Sequence, residues 1–162
     1  MKYKNKSVIL AAIIFIAVIF SSCSFNGGIS VGNYVNSVGD CMHDTVNLTR
    51  ELKKIQDSKD TRSPDDAKIY NETLDKLADL YAKLITLEAP DRYDDIDDDI
   101  KSNAKTVLSD ISQIQELISV SQSTGDDTLY KMELPDIMEE YTKSYNELSD
   151  LSNQALTRYR ND

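Results

Sequence analysis

The sequence predicts an all-α fold, an antiparallel up-down four-helix bundle, on three observations. Apolar residues recur at alternating spacings of three and four through four successive segments, which is the signature of helices with one buried stripe. The segments are of similar length and are joined by short breaks, which makes sequence neighbours antiparallel neighbours in space. Helix breakers are scarce, with five Gly and three Pro in 162 residues, and there is no Trp. The apolar share of 40% is enough for a core.

The first segment carries Val31, Tyr34, Val38, Cys41, Thr45, Leu48, Leu52 and Ile55, a seam of coiled-coil type. Val35, Met42 and Val46 widen the seam to the breadth a bundle needs. Residues 57–62 break the pattern. Ser63-Pro64-Asp65-Asp66 then supplies a capping serine, a proline suited to the first turn, and acids at the positive end of the helix dipole. The second segment runs through Ile69, Tyr70, Leu74, Leu77, Leu80, Tyr81, Leu84 and Leu87, and Ala89-Pro90 ends it. The third carries Tyr93, Ile96, Ile100, Ala104, Val107, Ile111, Ile114 and Ile118, and Ser121 to Asp127, with Gly125, breaks it. The fourth keeps one phase through Tyr130, Leu134, Ile137, Tyr141, Ser144, Leu148, Leu151, Ala155 and Tyr159. Pro135 lies inside that phase, and the unbroken phase predicts a kinked helix over two separate ones.

Ahead of the bundle the chain changes character. Lys2, Lys4 and Lys6 make a short basic start, and residues 8–20 are an unbroken apolar run of 13. That length suits a signal-peptide core, of about 7–15 residues, and falls short of the about 20 of a spanning helix. The run meets Ser21-Ser22-Cys23. This stretch resembles the lipobox of bacterial prolipoproteins, with Phe20 standing where Leu is usual. The resemblance covers residues 1–23. It implies that the Cys23 thiol receives a diacylglycerol, with palmitate among its acyl chains, and that a signal peptidase cuts before Cys23. The domain reading is then a signal peptide at 1–22, a lipidated cysteine and tether at 23–30, and the bundle at 31–162. The alternative is an uncleaved anchor helix over the uncharged residues 7–25. Both give one topology, because the lysines stay inside. The expected location is the extracytoplasmic face of the cell membrane, as a surface protein held by its lipid. A tether of residues 24–30 reaches at most about 20–25 Å. The turn at Ala89-Pro90 and the carboxyl terminus are therefore expected near the membrane, with the loops around 57–63 and 119–129 at the far end.

Charge narrows the partners. Without the leader the chain has 15 basic and 28 acidic residues, a formal charge of −13. Such a domain repels nucleic acid, which is excluded as a partner. Catalytic motifs are missing: there is no Gly-x-Ser-x-Gly, no P-loop and no second histidine beside His43. The chain reads as a non-enzyme, with no cofactor. Its expected role is that of a binding module for an envelope protein or ligand, and self-association as a structural envelope protein is the alternative; the oligomeric state is left open. The segment from Leu129 to Pro135 is the candidate surface, with Tyr130, Met132 and Leu134 as its contact residues. Six acids crowd into Asp91–Asp99 at a helix start, and Asp94, Asp95 and Asp98 are the candidates for a Ca²⁺-responsive site. A solvated face placed favourably in the helix dipole explains the same acids without a metal. His43 has no second strong ligand, and Cys41 falls on the core seam, about 200° round the helix from it. The chain holds nine tyrosines, seven of them on apolar phases. These suit either the rim of a core, with hydroxyls reaching water, or a binding surface.

Overall fold

A computed structural model describes residues 30–161, and the leader, Cys23 and most of the tether lie outside them. The regular structure of the described residues is all helical: α1 (Val31–Ser58), α2 (Pro64–Thr86), a 3₁₀ turn (Asp91–Tyr93), α3 (Asp94–Thr124) and α4 (Thr128–Asn161). They form a helical bundle. α1 packs on α2, α2 on α3, α3 on α4, and α4 on α1. Four amphipathic helices can bury one stripe each only by meeting round a common core, which here runs from Tyr34, Val38 and Leu52 through Leu74, Leu77 and Leu84 to Ile100, Val107, Ile111 and Leu148.

The helix ends follow local chemistry. Ser30 Oγ accepts from the Asn33 amide at 3.3 Å and caps α1. Ser63 does the same for α2, with Pro64 in the first turn, as the sequence indicates. α3 stops at Gly125, whose φ of 68° and ψ of 13° are left-handed and favour glycine. The Asp126 carboxylate then accepts from the amide and hydroxyl of Thr128 at 2.9 and 2.6 Å and opens α4. α4 is one element through Pro135.

Three expectations need correction. α2 ends at Thr86, three residues earlier than Ala89-Pro90 suggest, and Leu87 is extended and packs on the core. Ile69 is 40% exposed, because the buried arc of α2 is set by Ala67, Tyr70, Leu74 and Leu77, and Ile69 lies one 100° step off Tyr70. Five of the seven tyrosines on apolar phases are not a rim with wet hydroxyls, whereas Tyr159 is 44% exposed. Tyr34, Tyr70, Tyr81, Tyr93 and Tyr141 are wholly inside. A buried hydroxyl needs a partner, and four of these five find one. Tyr34 donates to Asp97 at 3.1 Å, Tyr130 donates to Tyr70 at 3.1 Å, and Tyr141 joins Thr49 at 2.9 Å and Tyr81 at 3.4 Å.

Tyr93 is the exception, since its hydroxyl is buried with no hydrogen-bond partner among the described residues. Its ring carries the interaction instead, in tilted contact with Tyr34 at 5.6 Å and with the guanidinium carbons of Arg92 and Arg158 at 5.4 and 5.3 Å from its centroid. Tyr93→Phe keeps the ring and removes the unmatched hydroxyl. It is expected to raise stability by about 1 kcal/mol, read as a higher denaturant midpoint.

Candidate functional site

One end of the bundle holds an open cleft of about 490 Å³. Its walls come from the end of α1 (Ile55, Gln56), the 58–62 loop, the start of α2 (Asp66, Tyr70) and the start of α4 (Asp127, Tyr130, Lys131). Thr61 Oγ1 meets Ser121 Oγ at 3.0 Å and fastens the loop to α3. The rim charges are matched. Lys59 pairs with Asp66 at 3.0 Å, Arg62 with Asp60 at 2.8 Å, and Lys131 with Asp127 at 2.8 Å. Arg62 holds the Asp60 carboxyl down to about 2, through hydrogen bonds first and charge second. Tyr130 and Tyr70 both line the cleft, and burial raises both phenols, Tyr70 far above its ordinary range. A site of three matched ion pairs and neutral phenols supplies orientation and hydrogen bonding but no free charge.

The candidate contact residues divide between two faces of α4. Tyr130 and Leu134, four apart, turn inward and pack on the core. Met132 is about 200° round the helix from Tyr130 and is 70% exposed. The outward apolar pair is Met132 with Leu129, which is 42% exposed. The segment therefore offers a small two-residue apolar face, not one surface joining all three residues.

The opposite end holds the acidic helix start. Asp95 is occupied by Arg158, which donates Nη1 and Nη2 to its two oxygens at 2.8 Å each, and Nη1 also reaches the Arg92 carbonyl at 2.6 Å. The bidentate pair holds the Asp95 carboxyl down to about 2. Asp94 and Asp98 are exposed. Among the described residues no group of three His, Cys, Asp or Glu side chains is placed to hold a metal. Carboxylates strung along a rigid helix fan round its axis, so few converge. Cys41 is buried, donates Sγ–H to the Leu80 carbonyl at 3.1 Å, and is pushed up to about 11 by burial. His43 is exposed on the other face.

Two functional-looking acids escape a reading by motif. Asp97 is buried, accepts from Tyr34, and pairs with Lys101 at 2.6 Å. Asp110 is 1% exposed, and its Oδ2 has no hydrogen-bond partner among the described residues. The signal for Asp110 was present: it stands three residues after Val107 and four before Ile114, on the core phase of α3.

Among the described residues no helix is long and apolar enough to cross a membrane. Comparison of the chain with protein-family models, with curated proteins and with solved structures finds no match.

Proposed function

We propose that the chain is a surface lipoprotein, held on the extracytoplasmic face of the cell membrane by a diacylglycerol on Cys23, and that its body is a non-catalytic interaction module for another envelope component. The observation that carries this reading is the order of parts: a basic start, an apolar run of 13 residues and Ser21-Ser22-Cys23, followed seven residues later by the Ser30 cap of a helical bundle. That order suits export, attachment and display of a folded body.

The helices on this reading run up, down, up, down. Contacts at their ends support it. The first turns of α1 and α3 meet through Tyr34 and Asp97, and the last turn of α4 reaches the start of α3 through Arg158. The loop after α1 meets the end of α3 through Thr61 and Ser121. The cleft then faces away from the membrane, with Leu129 and Met132 beside it, and these make the more accessible contact surface. Tyr130 and Leu134 would shape that surface from beneath.

The anchor is tested by intact mass and labelled-palmitate uptake in bacterial cells. The expected product begins at Cys23, carries a diacylglycerol, and takes up label. Cys23→Ser is expected to abolish the label and leave the uncut precursor. Wild-type protein that retains Met1 and takes up no palmitate would sink the lipoprotein reading in favour of an uncleaved anchor helix.

A further inference from the structure

Asp110 is a buried carboxyl group on α3, and among the described residues no cation pairs with it. Its residue is 1% exposed, and its Oδ2 is sealed and unpartnered. α2 meets α3 on another flank, marked by the Gln115 amide donating to Asp75 at 2.8 Å. Gln115 is five residues from Asp110, about 140° round the helix. α3 also packs on α4, whose Glu140 and Tyr141 lie within electrostatic reach of Asp110. Neither relieves a charge there. Glu140 has the same sign, and the Tyr141 hydroxyl meets Thr49 at 2.9 Å and Tyr81 at 3.4 Å, not Asp110. That hydroxyl cluster ties α4 to α1 and α2, so a disturbance at Asp110 reaches three helices.

We propose that Asp110 is a proton-operated latch between α3 and α4: neutral, it lets α4 close over it, and ionised, it loosens the Tyr141 flank of α4. A buried carboxylate beside a second carboxylate is disfavoured by lost hydration first and by repulsion second. Both effects push Asp110 up to about 6. The folded chain thus holds this proton more tightly than the unfolded chain does. Closure therefore strengthens as pH falls from above 6 toward the ordinary aspartate range, and is lost as pH rises back through 6.

The test uses the full chain in detergent micelles. Carboxyl-carbon NMR follows Asp110, and amide exchange, corrected for its intrinsic pH dependence, follows residues 137–148 with α2 as internal reference. The expected midpoint for Asp110 lies near 6. Protection of 137–148 is expected to rise about tenfold relative to α2 between pH 7.5 and 5, the effect of about one pKa unit of differential interaction. Asp110→Asn is expected to show the high protection at both pH values. An Asp110 midpoint in the ordinary aspartate range, or the same pH response in Asp110→Asn, overturns the latch. Glu140→Gln, on the exposed part of the same interface, is the second variant. It should lower the Asp110 midpoint and carry the change in α4 protection with it, and an α4 transition that stays put while the midpoint moves also overturns the proposal.

Discussion

Truncating Tyr141 to alanine is expected to destabilise the bundle by about 3–5 kcal/mol, the range for removing a large aromatic side chain from a packed core. The ring is 2% exposed, so almost all of it leaves a cavity. The hydroxyl adds a second loss, because Thr49 Oγ1 and the Tyr81 hydroxyl both rest on it. Tyr141→Phe isolates that part, with an expected cost of about 1–2 kcal/mol from the partners left short. The two variants are compared by denaturant midpoints at unchanged slope. A phenylalanine variant as stable as the native chain would show that the hydroxyl cluster is held by packing alone. The contrast with Tyr93→Phe sharpens the test, since the same substitution is expected to act in opposite directions at a bonded and an unbonded hydroxyl.

Lys101→Met should have the next largest effect, a loss of about 2–4 kcal/mol. Asp97 is 5% exposed, and its carboxylate is balanced by the Lys101 ammonium at 2.6 Å and the Tyr34 hydroxyl at 3.1 Å. Removing the ammonium leaves a buried charge with one neutral donor, and breaking a buried pair from one side is the costly way to break it. The Lys101 side chain is 28% exposed, so water entering beside it keeps the loss below that of a fully enclosed pair. Adding Asp97→Asn to Lys101→Met should recover most of the stability. If the single variant unfolds at the native midpoint, the pair is screened in the manner of a surface ion pair.

How much of this was legible in the sequence depends on which force set each feature. Helix number and the core stripe follow from periodicity, and Val38, Leu77, Ile100, Val107, Ile114 and Leu148 are buried as that periodicity requires. The start of α2 was legible because Ser63-Pro64 acts locally. The early stop at Thr86 was not, since it depends on how Leu87 packs against distant helices. The buried tyrosines fell on legible phases, yet the fate of their hydroxyls was hidden, because Tyr34 and Asp97, or Tyr81 and Tyr141, are about 60 residues apart in the chain. For the candidate contacts, spacing separates Tyr130 and Leu134 from Met132 by itself. Their grouping in one short segment concealed that they occupy opposite faces of one helix.

The meeting of the first and last turns has a practical consequence. Gly32 lies so close to Tyr159 that an added Cβ would stand 3.1 Å from the phenolic oxygen. The two ends of the described chain are thus side by side. A fluorophore or affinity handle joined after Asp162 would report from the same pole as Ser30, and on an anchored molecule it would sit in the shadow of the bilayer. A handle inserted at the Gly125-Asp126 turn, where the side chains are exposed, would stand at the other pole. Accessibility of the two handles to a probe too large to enter that shadow then measures which way the bundle stands.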